Sequence, residues 1–128
     1  MAHETITKGR HSELIAQTAL LANGYSVSEP IAPEAHDLVA RDSSGQFITI
    51  QVKSLRRRDD RKGEIVLYAR KNNGKPYSKE ECDMFIGVID GDVYLIENRG
   101  LSEYWCPADK VNERWTKLDT KLTKSEAV

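Results

Sequence analysis

The chain has 128 residues, enough for one hydrophobic core, and 39% of them are hydrophobic and 30% charged, which excludes wholesale disorder. The 19 basic residues nearly balance the 20 acidic ones, so the overall charge does not by itself indicate a nucleic-acid binder. No apolar run is long enough to predict a membrane span, and the two cysteines and three histidines follow no zinc-ligand spacing. Reduced thiols in a cytoplasmic protein are therefore expected.

The first half of the chain is predicted to form one helix and three strands. The helix covers residues 12–23 and ends at Gly24, with an apolar face made by Leu14, Ile15, Thr18, Leu21 and Ala22. The strands cover residues 25–28, 36–41 and 47–54, and the run Asp-Ser-Ser-Gly at 42–45 is a turn signal between the last two.

The second half is predicted to form three more strands and a closing helix. The strands cover residues 64–70, 84–90 and 92–97, and Asp90-Gly91 indicates a tight hairpin between the last two. The closing helix covers residues 107–118 and begins at a proline. Charged loops at 55–63 and 71–76 and a single helical turn at 78–82 connect these elements.

These elements predict one α/β (α+β) domain over residues 1–128, with a central mixed β-sheet flanked by helices. Its ordered core is expected over residues 7–118, followed by a polar C-terminal tail.

The strand at 47–54 carries the first indication of chemistry. Side chains alternate between the faces of a strand, so Ile50 and Val52 share one face while Gln51 and Lys53 share the other, about 7 Å apart. The turn at 42–45 makes the preceding strand an antiparallel neighbour, which brings Asp37 beside Gln51 and Lys53.

A carboxylate, a second oxygen ligand and a lysine at one place suit phosphodiester hydrolysis. A divalent ion such as Mg²⁺ takes oxygen ligands, polarises the phosphate and lowers the pKa of a bound water. The lysine places positive charge near the negative charge that develops in the transition state.

At these residues the sequence resembles the PD-(D/E)XK nuclease superfamily. The matching strings are Gly-Arg-His-Ser-Glu at 9–13, His-Asp-Leu-Val-Ala at 36–40, Ile-Gln-Val-Lys-Ser at 50–54 and Tyr-Ser-Lys-Glu-Glu-Cys-Asp-Met-Phe at 77–85. Within the superfamily it is most similar to archaeal Holliday junction resolvases and intron-encoded homing endonucleases. The resemblance implies a restriction-endonuclease-like fold and a Mg²⁺- or Mn²⁺-dependent endonuclease, often a homodimer, that cuts DNA without an organic cofactor.

The resemblance also implies a role for each site residue. Asp37 would be the central metal ligand, Lys53 the catalytic lysine, and Glu13 a ligand from the first helix. Gln51 stands where an Asp or Glu is usual, and an amide oxygen binds Mg²⁺ without contributing charge. Some active members of the superfamily resemble this chain in having glutamine there. The Val52 carbonyl is then a plausible further oxygen ligand.

Basic residues around the site are candidates for phosphate contact. They precede the Glu13 helix or lie in the two charged loops. In the first loop Asp59 and Asp60 lie between the basic residues, which also favours the alternative that these charges are solvated and neutralise one another. The candidates are Lys8, Arg10, Arg56, Arg57, Arg58, Arg61, Lys62, Lys71 and Lys75.

Two other functions stay open at this point. The first is a nuclease fold of impaired catalysis that acts as a nucleic-acid- or protein-binding module or inhibitor, which Gln51 and the near-neutral charge favour. The second is an unrelated α+β protein whose Asp and Gln-X-Lys agree with the superfamily by chance. The sequence does not choose between a junction and a duplex substrate, or between DNA and RNA.

Overall fold

A computed structural model describes residues 4–122, which form two α-helices and nine strands in two sheets. The helices are α1 (Glu4–Ala22) and α2 (Val111–Arg114). The strands are β1 (Ser26–Ser28), β2 (Leu38–Arg41), β3 (Phe47–Ser54), β4 (Arg56–Arg58), β5 (Glu64–Tyr68), β6 (Met84–Ile89), β7 (Asp92–Glu97), β8 (Glu103–Cys106) and β9 (Thr116–Leu118).

The larger sheet has six strands in the order β1-β2-β3-β6-β7-β9, and the smaller has three in the order β4-β5-β8. In the larger sheet β3 and β6 run parallel, with Ile50 opposite Met84, while the other neighbouring pairs are antiparallel. This mixed central sheet confirms the predicted fold class.

Each face of the six-stranded sheet is covered by a different layer. Helix α1 packs on one face, where Ala16, Ala19 and Leu20 meet the buried Leu38 and Ile50. The three-stranded sheet packs on the other face, through a cluster that contains Leu67, Phe85 and Tyr104. The central strands therefore have little exposure on either side, apart from the polar residues at the end of β3.

The predicted helix at 12–23 is confirmed, although α1 begins at Glu4, but its predicted apolar face is only partly right. Ile15 packs against the core as expected. Leu14 and Leu21 are 47% and 57% exposed, whereas Ala16, Ala19 and Leu20 are fully buried. The small alanine side chains let the helix backbone approach the sheet closely, so the inward face was not the one with the largest apolar residues. This rotation turns Glu13, which neighbours Leu20 on the helix surface, toward the sheet.

The hairpin between β6 and β7 forms as predicted. Asp90 and Gly91 have φ angles of 50° and 81°, the pair of positive values that a type I′ turn requires. Asp and Gly tolerate this conformation better than bulkier residues, so the turn fixes the register in which Ile89 faces Asp92.

Other segments also differ from the sequence prediction. Part of the charged loop at 55–63 forms strand β4, because its backbone pairs with β5 despite three consecutive arginines. Strand β8 was not predicted.

The predicted closing helix at 107–118 is reduced to a 3₁₀ turn and the four-residue α2, and its end becomes β9. Val111, Trp115 and Leu118 have helical spacing. However, Trp115 and Leu118 belong to core clusters on opposite faces of the sheet, which one helix could not reach. Pairing with β7 also satisfies the backbone groups along that strand.

None of the described helices is long and apolar enough to cross a membrane. The domain limits and the polar tail stay predictions, and residues 123–128 of that tail lie outside the described part of the chain.

Candidate active site

Strand alternation places the three central candidates on one face of the six-stranded sheet. Asp37 immediately precedes β2, in which the buried Leu38 lies opposite Ile50. Gln51 and Lys53 point away from Ile50 and Val52, whose side chains lie in the core beneath α1.

Asp37, Gln51 and Lys53 line one cleft of about 240 Å³. Its other walls are the loop before β2 and the segment that follows β5, with residues Glu34, Ala35, Arg70, Lys71, Asn72 and Tyr77. The Lys53 Nζ atom lies 5.2 Å from the centre of the Tyr77 ring, so a cation–π contact orients the ammonium group within the cleft. The structure thus brings together a carboxylate, an amide and a lysine as the strand pattern predicted.

The open edge of β3 determines the environment of Asp37. The pairing of β2 with β3 ends at Leu38 and Ile50, so the next free backbone group, the Val52 N–H, donates to Asp37 Oδ2 at 2.9 Å. Burial raises the pKa of the Asp37 carboxyl, and the Val52 N–H and the charge of Lys53 only partly oppose it. Because the N–H and C=O groups of one strand residue point to the same edge of the strand, the Val52 carbonyl also faces the edge at which Asp37 lies.

Glu13 lies on the other side of Asp37. It lines a second cleft, of about 370 Å³, together with Asp37, Arg10, Glu29 and His36. Burial raises the pKa of Glu13, and the nearby charge of Asp37 raises it further, while Arg10 opposes this by a 3.2 Å hydrogen bond. Glu13 is therefore coupled to Asp37 electrostatically but does not line the cleft that holds Gln51 and Lys53.

Most of the predicted phosphate-binding cations have acidic partners. The pairs are Lys8–Glu4, Arg10–Glu13, Arg10–Glu29, Arg57–Asp90, Arg58–Asp60, Arg61–Glu64, Arg61–Glu103 and Lys71–Glu81. Arg56, Lys62 and Lys75 are exposed and form no ion pair within residues 4–122. Of the predicted cations, Lys71 lines the Asp37 cleft and Arg10 the Glu13 cleft.

Three residues of the site region were not among the predicted site residues. Arg70 and Glu34 line the Asp37 cleft, and Tyr77 forms its floor with 7% exposure. Arg70 stands at the end of a predicted strand, beside the basic loop, so its position was the available signal. Glu34 carried no local signal, and the only signal for Tyr77 was its place at the start of the 77–85 string that resembles the superfamily. Long-range packing brings both segments to β3.

Similarity to known proteins shows the family and the fold. Residues 3–127 match the family described as PD-(D/E)XK endonuclease. The chain belongs to this family. A solved structure, that of the bacterial homing endonuclease I-Ssp6803I, shares the fold with a TM-score of 0.68 and 21% sequence identity, over 92% of this chain and 86% of that one. No curated protein matches the chain.

The candidate site of this family member has a donor set that fits a hard divalent cation. Within the described residues no three His, Cys, Asp or Glu side chains gather at one place, so carboxylates alone do not complete a site. Two carboxylates with raised pKa values, Asp37 and Glu13, lie near each other, and an added positive ion relieves their burial and repulsion. The Gln51 amide and the Val52 carbonyl add neutral oxygens, which Mg²⁺ accepts.

These raised pKa values predict how stability depends on pH. A carboxyl whose pKa is higher in the folded state favours folding at low pH, and this contribution is lost as the pH rises through the folded-state pKa. Asp37→Asn should therefore be more stable than the wild type at pH 7 without metal, and the difference should vanish below the ordinary aspartate pKa of about 4. Urea unfolding at both pH values in EDTA measures this.

Asp42→Asn is the matched control, because hydrogen bonds from Ser44 and Gln46 lower the pKa of that carboxyl. The contribution of the Asp42 carboxyl to stability therefore has the opposite sign: it is present above the ordinary aspartate pKa and is lost as the pH falls. The Asp42→Asn variant should be less stable than the wild type at pH 7. An Asp37→Asn protein that is less stable than the wild type at pH 7 would contradict the electrostatic description of the site.

Proposed function

We propose that the protein is a metal-dependent endonuclease that hydrolyses DNA phosphodiester bonds, with Asp37, Gln51, Lys53 and Glu13 as its active site. The observation that carries the proposal is the joint lining of one cleft by Asp37, Gln51 and Lys53. Membership of the PD-(D/E)XK endonuclease family supports it. So does the shared fold with a homing endonuclease, from which DNA is proposed as the substrate.

The residues that would hold the ion are Asp37 and Glu13 through carboxylates, Gln51 through its amide oxygen and Val52 through its carbonyl. When bound there, Mg²⁺ or Mn²⁺ supplies Lewis acidity at the phosphate and a water of lowered pKa. Asp37 is the principal anchor because its half-buried carboxylate borders both clefts.

Lys53 acts on the phosphate and on the attacking water. Its ammonium group is held over the Tyr77 ring, on the face of β3 that carries Gln51, and so points into the cleft without an acidic partner in an ion pair among residues 4–122. Placed there, it orients the water and stabilises the charge that develops on the phosphate oxygens in the transition state.

We further propose a homodimer that acts in the cytoplasm. Two active sites in one assembly allow both strands of a duplex or a junction to be cut. Leu14 and Leu21 on α1 are exposed and accessible to a second copy of the chain. Cys82 and Cys106 are both buried free thiols, as expected for a protein of a reducing compartment. The proposed chemistry uses no organic cofactor.

The deciding experiment is a cleavage assay with the purified protein on supercoiled plasmid, linear duplex, a four-way junction and a matched RNA duplex. Cutting in Mg²⁺ or Mn²⁺ that EDTA abolishes is the expected result. The preferred substrate then separates junction resolution from duplex cleavage, and DNA from RNA. Folded protein that cuts none of these substrates with either metal would refute the endonuclease proposal.

Two observations favour a second candidate, a catalytically impaired nuclease fold that serves as a binding module or inhibitor. Gln51 brings no charge to the site, and Glu13 is already paired with Arg10. Thermal unfolding with and without Mg²⁺ separates the two functions. A binding module should show no metal-linked rise in melting temperature, and Lys53→Ala should leave its partner binding intact, whereas an enzyme should be stabilised by the ion.

A further inference from the structure

A short hairpin over residues 70–76 contributes part of the lining of the Asp37 cleft. Arg70 forms a β-bridge with Pro76, and the Lys71 N–H donates to the Lys75 carbonyl at 2.8 Å. At its tip the Gly74 N–H donates to the Lys71 carbonyl at 2.9 Å, and the Asn73 side chain accepts from the Lys75 N–H. The segment predicted as a basic loop is therefore an ordered turn whose first residues line the cleft.

The two cations at the base of this hairpin have different surroundings. The Lys71 Nζ atom donates to both oxygens of Glu81 at 2.9 and 2.8 Å, and Glu81 also accepts from the Ser78 N–H. Lys71 is thus neutralised and ties the hairpin to the following turn. Arg70 is exposed on the cleft wall, and within residues 4–122 it has no ion pair or side-chain hydrogen bond.

We infer that Arg70 and the hairpin form a phosphate-binding subsite that holds the phosphodiester next to the one cleaved at Asp37 and Lys53. The inference rests on the proposed function and names how the substrate is held. Lys71, whose charge suggested phosphate contact from the sequence, is instead the residue that positions the hairpin.

The chemistry of the side chain suits this ligand. A guanidinium group presents planar, paired N–H donors that match two phosphate oxygens, and it remains charged at any working pH. Hydrogen bonds already hold the hairpin backbone, so the ordering cost on binding is confined to the Arg70 side chain. The contact can then contribute to affinity and to the placement of the scissile bond. The Asn72 amide, on the same wall, can donate to the same phosphate.

The test measures binding of a fluorescent DNA duplex by anisotropy at several salt concentrations, in EDTA and in Ca²⁺. Arg70→Ala should weaken binding about ten- to a hundredfold, the range for a lost charge-assisted hydrogen bond. The slope of log affinity against log salt should fall in magnitude by about one, as for a single lost phosphate contact. Arg70→Lys should restore the slope but recover only part of the affinity, because a lysine cannot bind in the paired geometry.

Lys117→Ala is the control for loss of a cation far from the cleft, since Lys117 lies on β9, the edge strand at the other end of the sheet from β1 and β2. Lys117 is already paired with Asp92, and its loss should leave affinity and slope unchanged. Lys71→Ala should lower the melting temperature, because it breaks the pair with Glu81, while its salt slope stays that of the wild type. An Arg70→Ala protein that binds like the wild type, when the wild type both binds and cuts DNA, would overturn the subsite alone. A wild type that neither binds nor cuts DNA would overturn the proposed function and the subsite together.

Discussion

Asp37→Ala is expected to lower metal-dependent DNA cleavage at least about a thousandfold while the protein stays folded. A bound ion stabilises the charge of the transition state by several kcal/mol, and each 1.4 kcal/mol changes the rate about tenfold. Asp37 and Glu34 both border the two clefts, but Glu34 is exposed, whereas Asp37 is half-buried and accepts the Val52 N–H. The loss of Asp37 therefore removes the main charge that would attract the ion. Single-turnover cleavage of a labelled duplex in Mg²⁺ measures the effect.

Lys53→Ala should lower cleavage about a hundred- to a thousandfold, the usual cost of removing one donor to a developing charge. Unlike the Asp37 variant it should keep the Mg²⁺-linked rise in melting temperature, because the ion is expected to bind through oxygen ligands that remain. Lys117→Ala controls for the loss of a lysine elsewhere. If the folded Asp37 and Lys53 variants both cut at the wild-type rate, the activity belongs to another site or to a contaminant.

Gly87→Ala should destabilise the protein by about 1–3 kcal/mol, the usual cost of overpacking a core. Gly87 lies in β6 between Lys53 on β3 and Tyr94 on β7. A Cβ atom there would come within 2.4 Å of Leu55 Cδ2 and 2.7 Å of its Cγ. Leu55 is 6% exposed within the core, so its side chain has little room to move away. Urea unfolding measures the loss.

Two controls isolate this contact. Gly9→Ala adds the same methyl group on α1, where no atom lies within 4 Å, and should stabilise the helix by about 0.5–1 kcal/mol. In a Leu55→Ala background the clashing atoms are absent, so Gly87→Ala should cost little, which a double-mutant cycle would detect as strong coupling. Equal costs in both backgrounds would show that Leu55 is not the obstacle.

The position of Leu55 also shows what the sequence could not predict about the fold. The segment at 55–63 has the charge of a loop, yet Leu55 is the residue that turns the chain from β3 onto the second sheet, and its backbone N–H donates to the Val88 carbonyl. Strand β8 and strand β9 form because neighbouring strands offer unpaired backbone groups, and sequence periodicity does not record which neighbours will be present.

Helix α1 shows what hydrophobic periodicity cannot predict even where the helix itself is predicted correctly. The spacing of Leu14, Thr18 and Leu21 correctly predicts a helix, but a helical repeat does not say which stripe meets the sheet. The close fit of Ala16, Ala19 and Leu20 determined the orientation, and Leu14 and Leu21 stay exposed. Glu13 faces the site region for this reason, and its own sequence neighbours gave little indication of it.

In the candidate site, too, the sequence predicted some of the contacts and the tertiary structure decided the others. The sequence by itself determined the relation of Asp37, Gln51 and Lys53, because the alternation of side chains and the antiparallel turn between two adjacent strands are local rules that any packing must obey. The tertiary structure alone decided that the Tyr77 ring lies against Lys53, that Glu81 forms an ion pair with Lys71 and that Arg70 lines the cleft. These contacts join different segments of the chain, which the tertiary fold brings together around β3.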